Sequence, residues 1–460
     1  MRTAFVLAGL LVSAPAFEPG HHSPVAKSDA RNANAERLIG QLVDFGKPTA
    51  GAHPTAWASQ FMAIDEQPQF HGGILGSAKP TVDPTMRKLV QMGVAALPSL
   101  IAHLRDSRPT KLVETHGFGF GAMWFSDEYD PRYSNPRRQP GGINQVGMDI
   151  GFRNRVSGEK YTVKVGDMCF VAIGQIVDRN FCALRYQPSA CEVINSPVHT
   201  PALAEAVKAD WGGLTAEGHR AQLEADACDL SPWRPAEAVK RMLYYYHADG
   251  EKLAVKLLDR KLYDSSALWD WADKMVKTDD PETWRTLDAG AVQKLGAAAA
   301  GRIPHGIWER ANSDNDPKEP KARERRLLKT LFPGFDPYRN VFDGIADVGD
   351  QNEIVEAVST FRSAKIDAAV HSLFERAIAR PMPPAEDQDA VWQHKSEQDR
   401  LAIDAADRLR GKGFDAEFLA YFKKRLSEVG NEFGDQPYNR DYYRQQFEQE
   451  IRKLSKGSAT

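Results

Sequence analysis

The sequence predicts a mainly α-helical protein with a small β-hairpin insertion. Apolar residues recur at helical spacing through most of the chain, and residues suited to helix capping precede several of these segments. Alternation with a period of two residues is almost confined to residues 112–165. With 42% hydrophobic and 26% charged residues, the composition is that of a folded globular chain and excludes the disordered and fibrous classes. The 460 residues are enough for two to three domains or for one extended helical array.

Residues 1–16 have the pattern of a signal peptide. Arg2 supplies a short positive region, residues 5–12 are apolar, and the Ala-Pro-Ala sequence at residues 14–16 matches the small-residue cleavage pattern. A buried N-terminal helix is the alternative interpretation. The pattern predicts a secreted or periplasmic protein. No later run approaches the roughly 18 apolar residues of a membrane-spanning helix, so no transmembrane segment is predicted.

Residues 17–83 are predicted to form a polar leader, one helix and a loop. The helix covers residues 30–45, in which Leu38, Ile39 and Leu42 share one face. The residues after position 45 are rich in glycine, proline and turn formers, which predicts irregular structure up to the next helix.

Two short helices are predicted to begin at Pro84. Proline suits the first helical position because its missing N–H group would have no partner there. Gly93 separates the two helices, and Asp106 closes the second. Each helix has one apolar face, formed by Leu89, Val90, Met92, Val94, Leu97, Leu100, Ile101 and Leu104.

The segment formed by residues 89–106 resembles a HEAT-like repeat. The resemblance rests on the turn at Gly93, on Leu97 with the proline after it, and on the closing Asp106. Residues 166–177 look similar over a shorter stretch. HEAT-like repeats are paired antiparallel helices that stack into solenoids, and they generally bind partners. The resemblance therefore implies an irregular α-solenoid or stacked helix pairs.

Residues 112–165 interrupt the helical pattern and are predicted to form a β-hairpin insertion with a long loop. Small and aromatic residues alternate over residues 112–125, and apolar and polar residues alternate over residues 161–165. Between them, residues 131–142 are dense in proline, arginine and glycine. The insertion is the expected specialised surface of the protein.

Helices are predicted to resume after the insertion. Asp167 is the predicted N-cap of a strongly apolar helix, and Thr200 and Thr215 are the predicted N-caps of two later helices. The helices predicted here cover residues 167–177, 201–211, 216–227, 235–246, 251–260, 265–276 and 286–300.

Residues 312–326 are highly charged and contain two prolines, which predicts a domain boundary or a long surface loop. This segment separates a HEAT-like helical region at residues 84–311 from a C-terminal helical region at residues 327–460. Asp350 and Glu353 have the spacing of a capping box in the C-terminal region. The helices predicted there cover residues 350–361, 366–378, 401–409, 415–430 and 443–454.

Four cysteines in an exported chain allow three disulfide connectivities. Cys169 lies in an apolar run and is predicted to be a buried thiol. Cys182 and Cys191 flank an irregular segment and are the expected pair if one disulfide forms, while Cys228 completes the set. The chain has no paired Cys/His spacing of a zinc site, so no metal site is predicted.

The insertion and the irregular segment near residue 185 contain the residues best suited to a site. Aromatic faces suit sugar binding, and paired carboxylates are what the cleavage of a glycosidic bond requires. The candidate binding residues are His116, Trp124, Tyr129, Arg185 and Tyr186, and the candidate catalytic residues of an enzyme are Asp127, Glu128 and Asp130. The alternative interpretation is a glycine-rich hairpin that aromatic residues stabilise and that ends in an acidic turn.

The expected function is that of an exported, non-enzymatic α-helical scaffold or binding protein with a protein or polymer partner. No cofactor is predicted, because the glycine run lacks the phosphate-loop pattern. The net charge of −3 argues against nucleic-acid binding through bulk positive charge. The alternative is a secreted hydrolase or lyase that acts on polysaccharide and has a helical toroid fold. The ligand, the oligomeric state and the choice between one array and two domains are left open.

Overall fold

The structure is a computed structural model, and it is mainly α-helical with short strands, which confirms the predicted fold class. It describes residues 28–47, 49, 61–64, 81–115, 160–186, 192–194, 196–228, 234–263, 265–278, 280–295, 300–304, 307, 322–333, 345–346, 348–383, 385–386, 388–432 and 437–457.

The first buried core is formed by helices from the N-terminal half of the chain. These helices are α1 (Ser28–Gln41), α2 (Pro84–Gln91), α3 (Leu97–Ala102), α4 (Val165–Val177) and α5 (Pro201–Trp211), with 3-10 turns at Leu42–Asp44 and Gly93–Ala96. Asp83 caps α2, because its side chain accepts hydrogen bonds from the backbone N–H groups of Thr85 and Met86 at 2.7 and 3.1 Å. Pro84 then occupies the first helical position, as predicted.

Helix α4 lies at the centre of the first core. Every one of its residues is buried, so the helix has no solvent-facing side. A helix that is apolar on all sides needs neighbours on all sides, and α2 and α3 are two of them. The side chain of Gln175 is fully buried in this helix and accepts a hydrogen bond from the N–H group of Met62 at 2.9 Å.

The remaining helices follow in chain order. They are α6 (Ala216–Asp226), α7 (Arg234–Tyr245), α8 (His247–Leu258), α9 (Ser265–Val276), α10 (Pro281–Leu295), α11 (Ala322–Leu331), α12 (Val348–Val358), α13 (Ala364–Ile378), α14 (Gln388–Leu409), α15 (Asp415–Glu432) and α16 (Pro437–Gly457).

A second core combines the middle and the end of the chain. Apolar residues of α6, α7 and α8 pack with those of α12 to α16 in one buried cluster. A third, smaller cluster is formed by α9, α10 and α11, which lie between α8 and α12 in the sequence. Trp284 is fully buried in this third cluster, and its indole N–H group donates to the carbonyl oxygens of Met275 and Thr278, each at 3.0 Å.

The strands form three two-stranded sheets in the described part of the chain. Strand β1 (Pro109–Thr115) pairs antiparallel with β2 (Lys160–Lys164), and β3 (Leu184–Tyr186) pairs antiparallel with β4 (Glu192–Ile194). The last pair is parallel and is formed by β5 (Lys261–Leu262) and β6 (Ile345–Ala346). Because β5 follows α8 and β6 precedes α12, this pair places the start of α12 near the end of α8.

Most of the predicted helices are confirmed, and several of their starts are corrected. Asp167 is not an N-cap: β2 runs directly into α4, and Asp167 accepts the backbone N–H of Lys164 from inside the first turn. Asp350 is not an N-cap either, because α12 begins at Val348. The helix predicted from residue 286 begins at Pro281, where Asp280 accepts hydrogen bonds from the N–H groups of the first turn.

The charged segment predicted at residues 312–326 overlaps the start of α11 at Ala322. Its remaining residues lie outside the described part of the chain, and the domain limits stay a prediction. Cys169 is a buried free thiol, as predicted. Cys191 lies outside the described residues, so its pairing with Cys182 also stays a prediction.

Among the described residues, no helix combines the length and the apolar character that a bilayer crossing requires, in agreement with the sequence-based expectation.

Candidate functional site

The candidate residues of the insertion lie outside the described part of the chain. These residues are His116, Trp124, Asp127, Glu128, Tyr129 and Asp130. Arg185 and Tyr186 are described as backbone in β3, where they pair with Val193 and Glu192 of β4. The structure does describe the bases of two hairpins. The candidate residues of the insertion lie in the sequence between β1 and β2 of the first, and Arg185 and Tyr186 lie in β3 of the second.

The first hairpin is fastened to α4 by Asp167, whose side chain is fully buried. The phenol of Tyr161 in β2 donates to Asp167 Oδ2 at 2.7 Å, and the backbone N–H of Lys164 donates to the same oxygen at 2.8 Å. The strand and the helix are therefore joined by a side chain from the helix as well as by the continuous chain.

The second hairpin reaches the same carboxylate. Ser196 follows β4 by two residues, is fully buried, and donates its hydroxyl to Asp167 Oδ1. The Ser196 Oγ atom in turn accepts the N–H of Val198 at 3.2 Å. The ring of His199 packs edge-on against Tyr161, with 6.0 Å between the ring centroids. The bases of both hairpins thus meet at Asp167, and we call Asp167, Tyr161 and Ser196 the hairpin anchor.

A close backbone approach beside the hairpin anchor requires glycine at position 166. A Cβ atom on Gly166 would lie 2.4 Å from the carbonyl oxygen of Leu104 and 2.6 Å from a methyl group of Val198. The backbone carbonyl cannot move aside without shifting the end of the first helix pair. Gly166 therefore lets the start of α4, the chain just after α3 and the chain after β4 pack in contact.

The electrostatics of the hairpin anchor follow from its burial. Burial raises the pKa of Asp167, while the hydrogen bonds from Ser196, Tyr161 and the backbone of Lys164 oppose that rise because they favour the ionised carboxylate. Burial raises the pKa of Tyr161 as well, and the neighbouring Asp167 raises it further, so the phenol keeps the proton that it donates.

The hairpin anchor contains a serine, an aspartate and a nearby histidine, but its geometry does not suit nucleophilic catalysis. Ser196 donates to the carboxylate, whereas a nucleophilic serine donates to the base that removes its proton. Ser196 and Asp167 are also fully buried, so a substrate has no access to them. The arrangement positions the chain on either side of it.

A second buried polar network lies at the opposite end of α4. Asp178 follows the helix in a left-handed conformation with φ 54°, and its Oδ1 lies 3.1 Å from the fully buried guanidinium of Arg241. Arg179 forms an ion pair with Asp226 at 2.7 Å, and both side chains are buried. We call Asp178, Arg179, Asp226 and Arg241 the core joint, because α6 and α7 contribute to it from the second core.

Side chains of α6 and α7 satisfy the last carbonyl groups of α4, which have no partner within the helix. Arg241 Nε donates to the carbonyl oxygen of Gln175 at 2.7 Å. His219 Nε2 donates to that of Ile176, and Gln222 donates to that of Val177, each at 3.0 Å. The positive charge of Arg241 near the C-terminus of α4 also complements the helix dipole.

Burial dominates the ionisation of the core joint. It raises the pKa of Asp178 to about 7, against the lowering effect of Arg241 and with a further rise from Asp226. Burial lowers the pKa of His219 to about 4, so this histidine is neutral at neutral pH. Strongly shifted pKa values occur at catalytic sites and in buried ion-pair networks. The complete burial of Arg241 assigns the core joint to the second class.

Neither network is predicted by the patterns in the sequence. The signal for the core joint was a charged residue, Arg241, placed between the apolar residues Val239 and Met242 on the inner face of α7. The signal for the hairpin anchor is Asp167, whose position at the start of an otherwise apolar segment predicts a helix cap. In each case the residue is visible in the sequence, but at least one partner is distant from it: Ser196 for Asp167 and Asp178 for Arg241.

One group of potential metal ligands lies elsewhere in the described structure. It consists of His371 and Glu375 on α13 and Glu417 on α15, and one potential ligand atom of each residue lies within 4.8 Å of the others. The spacing rules for metal motifs did not predict it, because its third member comes from a different helix.

Comparisons with protein-family models, with curated proteins and with solved structures gave no match.

Proposed function

We propose that the protein is an exported, non-enzymatic binding protein with a protein or polymer partner. In this proposal the ligand is recognised by residues 116–159, which connect β1 to β2, together with residues 187–191, which connect β3 to β4. These segments contain or adjoin every candidate binding residue that the sequence predicts. The signal-peptide pattern supports export, and the resemblance to HEAT-like repeats supports partner binding by a helical scaffold.

The hairpin anchor is the observation that supports this proposal best. Asp167 binds Tyr161 from the first hairpin and Ser196 from the chain that follows the second. A single buried carboxylate therefore holds the bases of both hairpins on the most deeply buried helix of the first core. Recognition segments that are fixed on a rigid scaffold lose less conformational entropy when they bind, which increases affinity.

The polar groups of this part of the structure favour binding over catalysis. The side chains of the hairpin anchor and of Arg241 in the core joint are buried, and their hydrogen bonds link segments of the chain to each other. Buried polar networks of this kind rigidify a fold and specify its arrangement. The specific contacts with a ligand would then be made by residues beyond the hairpin bases.

The first test replaces residues 116–159 with a short Gly-Ser turn. Thr115 and Lys160 are direct partners across β1 and β2, so the turn closes the hairpin without changing its register. We expect an unchanged far-ultraviolet circular dichroism spectrum per helical residue and an unchanged melting temperature. We also expect loss of the partner that the wild-type protein captures from its own extracellular or periplasmic fraction, with binding then measured on the purified partner.

The control replaces residues 308–321, a second segment outside the described structure, with the same turn, and it should keep the partner. Retention of the partner without residues 116–159 would overturn the proposal. Polysaccharide cleavage that is lost in Asp127→Asn and Glu128→Gln variants would also overturn it, in favour of an enzyme.

A further inference from the structure

Three side chains with metal-ligating atoms converge between α13 and α15. His371 and Glu375 are four residues apart on α13 and therefore lie on the same face of the helix. Glu417 lies in the first turn of α15. His371 Nε2 lies 2.7 Å from Glu417 Oε2, and its Nδ1 lies 3.7 Å from Glu375 Oε2. The imidazole thus sits between two carboxylates.

The imidazole is held in a fixed orientation by an aromatic side chain. The ring of Phe414 stacks on the ring of His371 with 4.0 Å between the centroids and an interplanar angle of 25°. Phe414 itself packs against the second core. Metal sites require ligands whose orientation is set by their surroundings, and this contact meets that requirement.

The three side chains form a group that is closed by the core on one side and open to solvent on the other. The exposed fraction is 16% for His371, 40% for Glu417 and 58% for Glu375. An ion can therefore enter from solvent and keep a water ligand, because three protein ligands leave at least one coordination position open.

The charge of the group is uncompensated by the described part of the protein. The ion pairs of Glu375 and Glu417 there involve only His371, and no Lys or Arg pairs with either carboxylate. Elsewhere on the C-terminal helices, Glu450 pairs with Lys453 and Glu428 pairs with Arg425. With a neutral imidazole the group has a formal charge of −2, which a divalent cation neutralises.

We propose that His371, Glu375 and Glu417 bind a divalent transition-metal ion, and that Zn²⁺ fits these ligands best. One imidazole and two carboxylates form a ligand set that zinc accepts, whereas Mg²⁺ and Ca²⁺ prefer oxygen ligands alone. The ion takes the place of the hydrogen bond between His371 and Glu417 and is bound by both side chains. The bound ion connects α13 to α15 within the second core.

The same three residues have a simpler explanation that needs no metal. The contacts of His371 with Glu375 and Glu417 would by themselves fasten α13 to α15. This explanation predicts that His371→Ala destabilises the protein equally with and without Zn²⁺. The metal site predicts that Zn²⁺ stabilises the wild-type protein and that the stabilisation disappears in the variant.

The experiment measures Zn²⁺ binding to the full chain after treatment with a chelator, by competition with a chromophoric indicator. We expect one bound equivalent in the wild-type protein, and we expect that His371→Ala and Glu375→Gln each weaken binding by about tenfold or more. His247→Ala and Glu428→Gln are the matched controls, because they remove an exposed histidine and a glutamate on α15 from outside the group. Both controls should bind as the wild-type protein does.

Co²⁺ provides a second measurement that separates this group from the cysteines of the chain. Thiolate ligands give bound Co²⁺ an intense near-ultraviolet charge-transfer band, and imidazole and carboxylate ligands do not. We expect bound Co²⁺ to give a spectrum without that band. We expect the spectrum of bound Co²⁺ to disappear in His371→Ala. The proposal is overturned if the wild-type protein binds no Zn²⁺, if the variants bind as the wild type does, or if the bound ion has thiolate ligands.

Discussion

The two ends of α4 use opposite means to bury an aspartate. Asp167 in the first turn is held by uncharged donors, namely a phenol, a hydroxyl and a backbone N–H. Asp178, eleven residues later and about 16 Å further along the helix axis, is held by the guanidinium of Arg241. Both carboxylates are buried, but only the second is part of a network of buried ion pairs.

The helix dipole explains the difference. A carboxylate near an N-terminus is stabilised by the partial positive charge of the free N–H groups, so neutral donors suffice for Asp167. A carboxylate near a C-terminus faces a partial negative charge, and Asp178 therefore needs a cation. Arg241 supplies that cation and also donates to a carbonyl group at the end of the helix.

The two networks also fasten different parts of the molecule. The hairpin anchor joins segments within the first core, whereas the core joint joins α4 to α6 and α7, which pack in the second core. Tyr245 of α7 forms a further link to the first core, because its hydroxyl donates to the carbonyl oxygen of Val90 in α2 at 2.5 Å. Disruption of the core joint should therefore affect the whole protein, and disruption of the hairpin anchor should have a local effect.

The largest effect is expected from Arg241→Met. The variant keeps an unbranched side chain that reaches about as far as Nε of arginine. It leaves Asp178 and Glu237 without their buried cation and the carbonyl group of Gln175 without its donor. Removal of one partner of a buried ion pair costs about 3–5 kcal/mol. The free energy of unfolding, measured by urea denaturation, should fall by about this amount.

Arg220→Met is the matched control, because Arg220 on α6 forms an exposed ion pair with Asp249. Exposed pairs contribute about 0–1 kcal/mol, so this variant should unfold close to the wild type. If the two variants lost the same free energy of unfolding, the burial of Arg241 would be energetically irrelevant. The core joint would then have no special weight in the stability of the protein.

A smaller and more local effect is expected from Asp167→Asn. The amide has one acceptor oxygen in place of two, and its NH₂ group would face the hydroxyl of either Ser196 or Tyr161, which would lose the acceptor to which it donates. An unsatisfied buried group of this kind costs about 1–3 kcal/mol. In native-state hydrogen exchange, the variant should exchange faster than the wild type. This increase should be larger in β1 and β2 than in α7 or α8, which belong to the second core.

Tyr161→Phe removes a single hydrogen bond of the same network and should cost about 1 kcal/mol. If Asp167→Asn accelerates exchange in α7 as much as in β2, then the hairpin anchor is not a local element. The proposal that it positions recognition segments would then lose its main support.

The fold class could be predicted because it depends on local patterns. The apolar stripe of α13 and the Thr200-Pro201 start of α5 lie within single segments, and the structure has both elements where they were expected. The start of α4 was misplaced because Asp167 has the residue type and position of an N-cap. Its actual role depends on Tyr161 and on the strand that leads directly into the helix.

The candidate site could be predicted only in part. The sequence located the segment from residue 112 to residue 199, which includes both hairpins, but it contained no sign that Asp167 holds the two bases together. Arg241 and Asp178 are 63 residues apart and meet only because α7 packs across the end of α4. Such pairs are set by tertiary packing, which periodicity and capping patterns do not encode.

A change in the pH dependence of stability tests the charge state of the core joint. Burial raises the pKa of Asp178 to about 7, while an unfolded aspartate titrates near about 3.9. Between these values the folded protein binds a proton that the unfolded chain has lost, so this carboxyl makes the protein less stable as the pH rises. The contribution is at most about 1.4 kcal/mol per pH unit.

Asp178→Asn removes this titration and retains a residue that tolerates the left-handed conformation. Its unfolding free energy relative to the wild type should therefore rise from about pH 4 to about pH 7 and level off above that. His219, whose pKa burial lowers to about 4, is present in both proteins, so its opposite pH dependence cancels in the difference. Urea denaturation at several pH values measures the difference in unfolding free energy between the variant and the wild type. A difference that stays constant with pH would mean that Asp178 is ionised throughout and that Arg241 compensates fully for its burial.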